Sequence, residues 1–392
     1  MSASDLRAVS KLPVPTAELQ ARTDAVREFI SNAITQAGGS LDFAEFMELA
    51  LYAPGIGYYV NGLPKLGAGG DFVTAPELGD LFARALAKQV AQILDTLDNG
   101  IILEFGAGSG VLAAQLLRAL DELDQLPEQY QILELSSDLQ TRQREAVNKL
   151  PDYLARRVCW LTSLPEKPLN AVIVANEVLD AMPAVRFLVK DEGCYRQRVG
   201  LHNGQFVWQV ADVSDQQLDA LKNNYQLGVG YQSEQNQRAE AWVASVSECL
   251  LSGALLLIDY GYNGREYYHP QRAEGTLRCH YQQFAHNDPL VLAGIQDITS
   301  HVDFTAIAEA GHAAGLQVSG FTNLSGFILS SGILEELQSR PRGAEQQLAI
   351  SNELKRLTLP TEMGEIFKVI ALGRNVDVDL ICFQLQDSRG RL

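Results

Sequence analysis

The spacing of apolar residues predicts helices in the first hundred residues of the chain. Helical periodicity over residues 21–37 predicts an amphipathic helix, and residues 41–51 form a second predicted helix that ends before Pro54. A third helix is predicted over residues 78–97. Between them lies a Gly-rich and Pro-rich stretch, residues 55–79. Long ordered loops in compact domains are usually functional, so we expect this stretch to form part of a site.

From residue 101 onward, short apolar runs alternate with helical segments. This pattern is typical of a parallel sheet with helices on both faces. An alternating pair over residues 194–201 and 205–210 predicts a hairpin. The predicted strands and helices, in chain order, are strands 101–105, 130–135, 158–161, 171–175, 254–259, 316–321 and 367–372, with helices 111–121, 139–149 and 304–314.

Composition and charge narrow the class of protein. With 392 residues, 46% hydrophobic and 20% charged, the chain is long and apolar enough for a large core. Its net charge of −17 disfavours nucleic acid and favours a basic partner, although solubility alone also explains it. Five scattered cysteines without a CxxC pair indicate reduced thiols. No membrane span, signal peptide or transit peptide is recognisable, so we expect a cytoplasmic protein that does not bind membranes.

The first chemical motif, Glu104-Phe105-Gly106-Ala107-Gly108-Ser109-Gly110, joins a predicted strand to a predicted helix. Its glycines allow a tight turn and close approach of a ligand to the backbone, and the helix offers free N–H groups. Dinucleotide enzymes place the third glycine three positions after the second, whereas here the spacing is two. The motif therefore suits S-adenosylmethionine, which has no pyrophosphate, with Glu104 facing the sulfonium or the amino group. The alternative is a glycine-rich turn that binds nothing.

A second motif is Glu134, at the end of the second predicted strand and followed by Leu135. A doubly wound domain places there the carboxylate that binds both ribose hydroxyls. The alternative is an ordinary exposed glutamate. Together the two motifs exclude cofactors with a 2′-phosphate and leave NAD or S-adenosylmethionine, and the misplaced glycine disfavours an NAD oxidoreductase. The predicted cofactor contacts in these motifs are Glu104, Gly106, Ala107, Gly108, Gly110, Glu134 and Leu135.

The third motif, residues 176–183, follows the fourth predicted strand, where ligands bind in open α/β sheets. We expect Asn176 to contact the cofactor, and Glu177 and Asp180 to hold a cationic group, since carboxylates pair well with guanidinium. A helix start with Asn176 as N-cap is an equal alternative.

Two further segments carry weaker signals. Asp71, Phe72 and Thr74 are predicted to fold over the cofactor, against the alternative of a surface turn that enters a helix. The stretch 275–304 concentrates His and Asp without diagnostic metal spacing, and we predict no metal site. Most such histidines are simply hydrogen-bonded, but His301 is retained as a candidate for proton removal.

With these residues together, the chain resembles the MidA family of methyltransferases, which includes a mitochondrial complex I assembly factor that dimethylates an arginine. The resemblance covers roughly residues 40–375. It implies a class I methyltransferase fold and protein arginine methylation, with symmetric dimethylarginine as the product in the mitochondrial relatives. The matching motifs are residues 46–52, 57–59, 70–77, 104–110, 176–181, 258–261, 275–279 and 297–304.

The resulting prediction is an α/β protein with a Rossmann-like class I methyltransferase sheet. Residues 1–95 are expected to form a helical extension with a loop covering the cofactor, and residues 96–392 the methyltransferase domain, with lid or substrate insertions at about 184–250 and 262–303. The predicted activity is arginine methylation of a protein such as a respiratory complex I subunit. Alternatives are a small-molecule methyltransferase and a non-catalytic assembly factor, and a homodimer is left open. The predicted catalytic residues are Glu177, Asp180 and His301.

Overall fold

A computed structural model describes residues 12–62, 74–339 and 343–392 of the chain. The strands in these ranges are β1 (Ser40–Asp42), β2 (Ile101–Phe105), β3 (Tyr130–Leu133), β4 (Val158–Leu161), β5 (Leu169–Asn176), β6 (Val185–Lys190), β7 (Gly193–His202), β8 (Gln205–Val210), β9 (Gln232–Gln235), β10 (Leu250–Tyr262), β11 (Arg278–Tyr281), β12 (Phe284–His286), β13 (Asp297–Thr299), β14 (Val302–Asp303), β15 (Gln317–Asn323) and β16 (Phe367–Arg374).

The helices in the same ranges are α1 (Ala17–Gln36), α2 (Phe43–Tyr52), α3 (Leu81–Leu94), α4 (Val111–Glu122), α5 (Ser137–Val147), α6 (Asp152–Ala155), α7 (Gln216–Tyr225), α8 (Gln237–Glu248), α9 (Gly264–Tyr267), α10 (Phe304–Ala313), α11 (Leu324–Ser330), α12 (Ile333–Ser339), α13 (Ala344–Thr358) and α14 (Met363–Ile366). None of these described helices has the length and apolarity needed to cross a bilayer.

The contacts of the chain divide it into two compact units. The first unit comprises the described residues of Met1–Phe72, with Asp180–Ala239 and Gly264–Asp303. The second unit comprises the described residues of Val73–Leu179 and of Phe304–Leu392, with Glu240–Asn263. The predicted division between residues 95 and 96 differs from this one, because α3 packs against α4 within the second unit.

The second unit contains the predicted Rossmann-like sheet, in the order β4-β3-β2-β5-β10-β16-β15. Strands β4, β3, β2, β5 and β10 run parallel, as predicted. The last strand, β16, is antiparallel to both of its neighbours, which the apolar pattern did not predict. A fully buried strand is apolar on both faces whichever way it runs, so its sequence carries no direction.

The first unit joins the amino-terminal helices to most of the predicted insertions. Its larger sheet has the order β1-β7-β6-β9, and β8 pairs with β7 in the predicted hairpin. Helices α1 and α2 bury their apolar faces in the core of this unit, where Phe43 packs on Trp208 and Phe46 packs on Phe206. Strands β11, β12 and β13 form a separate small sheet. The insertions are therefore ordered parts of a folded unit.

Candidate functional site

The predicted glycine motif forms a left-handed turn between β2 and α4. Gly106, Gly108 and Gly110 have φ of +64°, +53° and +80°. Residues with a Cβ adopt this left-handed region only at a cost in conformational energy. Space is restricted as well. A Cβ on Gly106 would lie 2.7 Å from Val178 Cγ2, and a Cβ on Gly110 would lie 2.8 Å from Gln143 Cα. Both the backbone conformation and the packing thus require glycine.

Glu104 ends β2 as a buried carboxyl group, 2% exposed. Its Oε2 accepts a hydrogen bond of 2.9 Å from the Tyr130 hydroxyl on β3. Burial raises the pKa of Glu104 to about 7, helped by the charge of Glu134 and opposed by the Tyr130 hydrogen bond. Glu104 is therefore held by the sheet itself, and its contact with the cofactor stays a prediction.

Glu134 directly follows β3 and is 8% exposed, which rules out the alternative of an ordinary surface glutamate. Its Oε1 accepts a 2.8 Å hydrogen bond from the Ser136 amide, and its Oε2 accepts one of 3.1 Å from Gln143 Nε2. Burial raises its pKa, against the lowering effect of these hydrogen bonds. A carboxylate has about four acceptor positions, and the backbone amide of Leu135 also acts on Glu134, so the carboxylate retains capacity to accept from a ribose hydroxyl. The neighbouring Leu135 is 78% exposed.

Gln143 connects the two cofactor motifs and was not predicted from the sequence. Its Nε2 donates to the Gly108 carbonyl oxygen at 3.2 Å as well as to Glu134, and its Oε1 accepts from Trp160 Nε1 at 2.9 Å. Within the described helix α5, the buried side chains are Gln143 and Val147. These two residues are spaced i and i+4, so a polar residue on the inward face was the signal that could have revealed it.

The loop after β5 packs on the glycine turn through Val178. Asn176, the last residue of β5, donates from Nδ2 to Glu177 Oε1 at 3.1 Å. Its Oδ1 is buried and has no hydrogen-bond partner among the described residues. Residues 177–182 form bends and one turn and no helix, so the predicted alternative of a helix with Asn176 as N-cap is wrong.

Glu177 has a left-handed backbone with φ of +55°. Such a conformation costs a non-glycine residue about 1–3 kcal/mol and is common at functional sites. The Glu177 amide donates to the Ile258 carbonyl oxygen at 2.9 Å. The buried Asp259 accepts the next two amides at Oδ2, from Val178 at 3.2 Å and from Leu179 at 2.9 Å. The end of β10 thus supports a strained loop that carries a predicted catalytic carboxylate.

The other two predicted catalytic residues, Asp180 and His301, belong to the first unit. Asp180 is 6% exposed, and its carbonyl oxygen accepts a 3.0 Å hydrogen bond from the amide of Ser300. The His301 amide donates to Thr276 Oγ1 at 3.1 Å. The structure therefore brings Asp180 next to the residue that precedes His301, and their catalytic roles stay predictions.

The protonation state of His301 restricts its chemistry. Burial lowers its pKa to about 3, and the nearby positive charges of Arg272 and Arg278 act in the same direction. The imidazole is therefore neutral near pH 7, and a proton placed on it would be held weakly. Among the described residues, no group of three or more His, Cys, Asp or Glu side chains is arranged to hold a metal ion.

The segment predicted to cover the cofactor is partly described. Asp71 and Phe72, both predicted to contact the cofactor, lie outside the described residues. Thr74 is buried and precedes a 3₁₀ turn at Ala75–Glu77, and its side chain does not cap this described turn. Glu77 Oε1 accepts a 2.6 Å hydrogen bond from Ser109 Oγ, so this segment contacts the glycine motif.

Comparison with known proteins gives consistent matches. Residues 85–322 match the model of a family described as S-adenosyl-L-methionine-dependent methyltransferase. Protein arginine methyltransferase NDUFAF7, mitochondrial, from Danio rerio is 26% identical over 370 residues, covering 86% of this chain and 84% of the relative. The Homo sapiens protein of that name is 25% identical over 375 residues, covering 85% and 80%.

A solved structure resembles this chain along nearly its whole length. A protein from Burkholderia thailandensis bound to S-adenosyl-homocysteine is 42% identical, with a TM-score of 0.93. The match covers 97% of this chain and 100% of that one. Its ligand is the product that remains after S-adenosylmethionine has given up its methyl group.

Proposed function

This chain belongs to the family of S-adenosyl-L-methionine-dependent methyltransferases, and we propose that it methylates arginine side chains of a partner protein. The class I methyltransferase fold and the cofactor predicted from the sequence are confirmed by this membership. The proposal for arginine is supported by the names of the relatives and by the carboxylates predicted at the site. The net charge of −17 also favours a substrate segment rich in positive charge.

The residues of the second unit fit the cofactor. The buried Asn176 Oδ1, which has no hydrogen-bond partner among the described residues, is an acceptor suited to an ammonium or hydroxyl donor. Glu134 would bind the ribose hydroxyls, and the glycine turn permits close approach of the backbone. S-adenosyl-L-methionine supplies an electrophilic methyl group on a positively charged sulfur.

The observation that carries the proposal is the position of Glu177 on a strained turn, where Val178 touches the glycine motif. A guanidinium has a pKa above about 12, so it must be oriented and relieved of a proton around transfer. The carboxylate of Glu177 would accept hydrogen bonds from the N–H groups of the guanidinium and would stabilise that cation in one orientation. Positioning of this kind supplies much of the acceleration of an in-line displacement.

The test uses the wild-type protein, Glu177→Gln and a matched control at the exposed Glu166, Glu166→Gln, each incubated with methyl-labelled cofactor and cell lysate. We expect wild type and control to produce labelled methylarginine after hydrolysis, and Glu177→Gln to be slower by about a hundredfold. Equal rates for Glu177→Gln would remove Glu177 from the mechanism. Labelled methyl groups on lysine, or only on small molecules, would refute arginine methylation. Binding of S-adenosyl-homocysteine without any methyl transfer would favour the alternative of a non-catalytic assembly factor.

Three finer parts of the proposal follow from the resemblance and the relatives. We propose symmetric dimethylarginine as the product and a respiratory complex I subunit as the candidate protein, and mass mapping of the labelled residue tests both. We also propose a cytoplasmic location, which cell fractionation with an antibody against the chain would check. If a different basic protein were labelled, the proposed substrate would be wrong, but the proposed reaction, arginine methylation, would stand.

A further inference from the structure

We propose that Asp259 is a positioning residue that holds Glu177 in its left-handed conformation. The inference rests on the proposed function, because it assigns Glu177 a catalytic role. Asp259 itself is 1% exposed, so it has little access to a substrate. Its effect would pass through the backbone of the loop that follows β5.

The first step of the argument is the number of amides that share one carboxylate. Asp259 Oδ2 accepts from the Val178 and Leu179 amides at 3.2 and 2.9 Å. Its Oδ1 accepts from the Tyr260 amide at 2.8 Å. An ionised carboxylate is acceptor-only, so both oxygens suit N–H groups without rotation or flipping. In the variant Asp259→Asn, the side chain would keep one acceptor oxygen, but its NH₂ group would face at least one of these backbone N–H groups.

The second step is the place of these bonds in the chain. The parallel pairing of β5 with β10 ends where Asn176 lies opposite Ile258. Beyond that point the Glu177 amide still donates to the Ile258 carbonyl oxygen, and Asp259 accepts the next two amides. The three consecutive amides from residue 177 to residue 179 are therefore all anchored on two residues of β10. This anchorage encloses the single residue with φ of +55°.

The third step links the loop to the cofactor side. Val178 Cγ2 lies 2.7 Å from the place where a Cβ on Gly106 would be, so Val178 packs tightly on the glycine turn. If the amide of Val178 lost its acceptor, both the direction of Glu177 and this contact would change. We expect the direction of Glu177 to suffer more, because Gly106 also keeps its place through β2.

The first experiment measures the loop itself and needs no substrate. Amide hydrogen exchange of the full chain is followed by mass spectrometry in wild type, Asp259→Asn and the control Asp215→Asn. Asp215 also accepts two consecutive amides, those of Gln217 and Leu218, but it does so in the first unit. We expect exchange at residues 178–179 to accelerate about tenfold or more in Asp259→Asn and to stay unchanged in Asp215→Asn.

The second experiment is a double-mutant cycle on methyl transfer to lysate protein, with the cofactor concentration varied up to saturation. We expect Asp259→Asn to lower the rate about tenfold to a hundredfold, with the KM for the cofactor changed by less than about twofold. In the Glu177→Gln background, Asp259→Asn should lower the rate of methyl transfer by less than about twofold. The carboxylate that Asp259 is proposed to position is already absent there.

The outcomes separate the two hypotheses. Unchanged exchange at residues 178–179 would overturn the positioning role, and so would equal effects of Asp259→Asn with and without the Glu177 carboxylate. If wild type transfers no methyl group to arginine, the proposed function fails, and the exchange experiment still decides whether Asp259 holds the loop. A parallel rise in cofactor KM and loss of thermal stability would mean general damage and would also refute the inference.

Discussion

Replacing Gly110 by alanine tests whether the glycine turn and α5 are packed as tightly as the structure indicates. Gly110 has φ of +80°, and a side chain in this region costs about 1–2 kcal/mol. The new Cβ would lie 2.8 Å from Gln143 Cα, a backbone atom that moves only if α5 moves. Overpacking of this kind costs about 1–3 kcal/mol. The total is about 2–5 kcal/mol, which predicts a fall in melting temperature on the order of 10 °C.

The change should also weaken cofactor binding. Displacement of α5 would carry Gln143 away from Gly108 and from Glu134, and a hydrogen bond to a charged group contributes about 1.5–3 kcal/mol. Calorimetric titration with S-adenosyl-homocysteine should therefore show affinity reduced by roughly tenfold to a hundredfold.

The matched control is Gly204→Ala in the turn between β7 and β8. Gly204 has φ of +74°, but a Cβ added there would meet no heavy atom within 4 Å, so this variant reports backbone strain alone. We expect the control to lose about 1–2 kcal/mol and to leave the affinity unchanged. Equal melting temperatures for the two variants, with equal affinity for S-adenosyl-homocysteine, would refute the argument from packing.

Three further predictions concern single ionisable groups. Glu134→Gln should weaken S-adenosyl-homocysteine about tenfold to a hundredfold by calorimetry, and unchanged affinity would exclude it as a ligand. Burial raises the pKa of Glu104 to about 7, so the folded protein holds the proton on this group more tightly than the unfolded chain does. The resulting stability is fully present below the unfolded pKa and is lost as the pH rises through about 7. Thermal unfolding should show a decrease that is larger in wild type than in Glu104→Gln by about 3 kcal/mol, because Glu353, whose burial also raises its pKa to about 7, contributes to both. Because the pKa of His301 is lowered to about 3, His301→Gln should leave the pH dependence of methyl transfer unchanged between about pH 5.5 and 8, and loss of an acid limb near pH 6 would contradict this.

The sequence predicted the sheet and its loops because apolar runs and glycines carry strong local signals. Strand β4 and the hairpin at β7 and β8 lie where the pattern placed them. The direction of β16 was not predictable from a run that is apolar on both faces. Strands β6 and β9 were missed as well. Strand β6 also pairs with the adjacent β7, but the pairing of β9 with β6 joins strands distant in the chain, for which one sequence has no local marker.

The candidate site was predicted in part for the same reason. Glu104, the glycines and Glu134 occupy fixed positions relative to strand ends, so spacing alone indicated them. Gln143 and Asp259 act through hydrogen bonds to backbone groups, and such partners are visible only after folding. The protonation state of His301 likewise depends on burial and on two arginines that are not its neighbours in the sequence.

The place of β10 in the sheet has a consequence for synthesis on the ribosome. Its partner on one side, β5, emerges earlier, but its partner on the other side, β16, comprises residues Phe367–Arg374. A nascent chain therefore carries an apolar strand with open N–H and C=O groups for roughly a hundred residues of elongation. Such an exposed edge can pair with other chains. We therefore expect nascent chains of this protein to depend on chaperones until β16 has emerged and paired with β10.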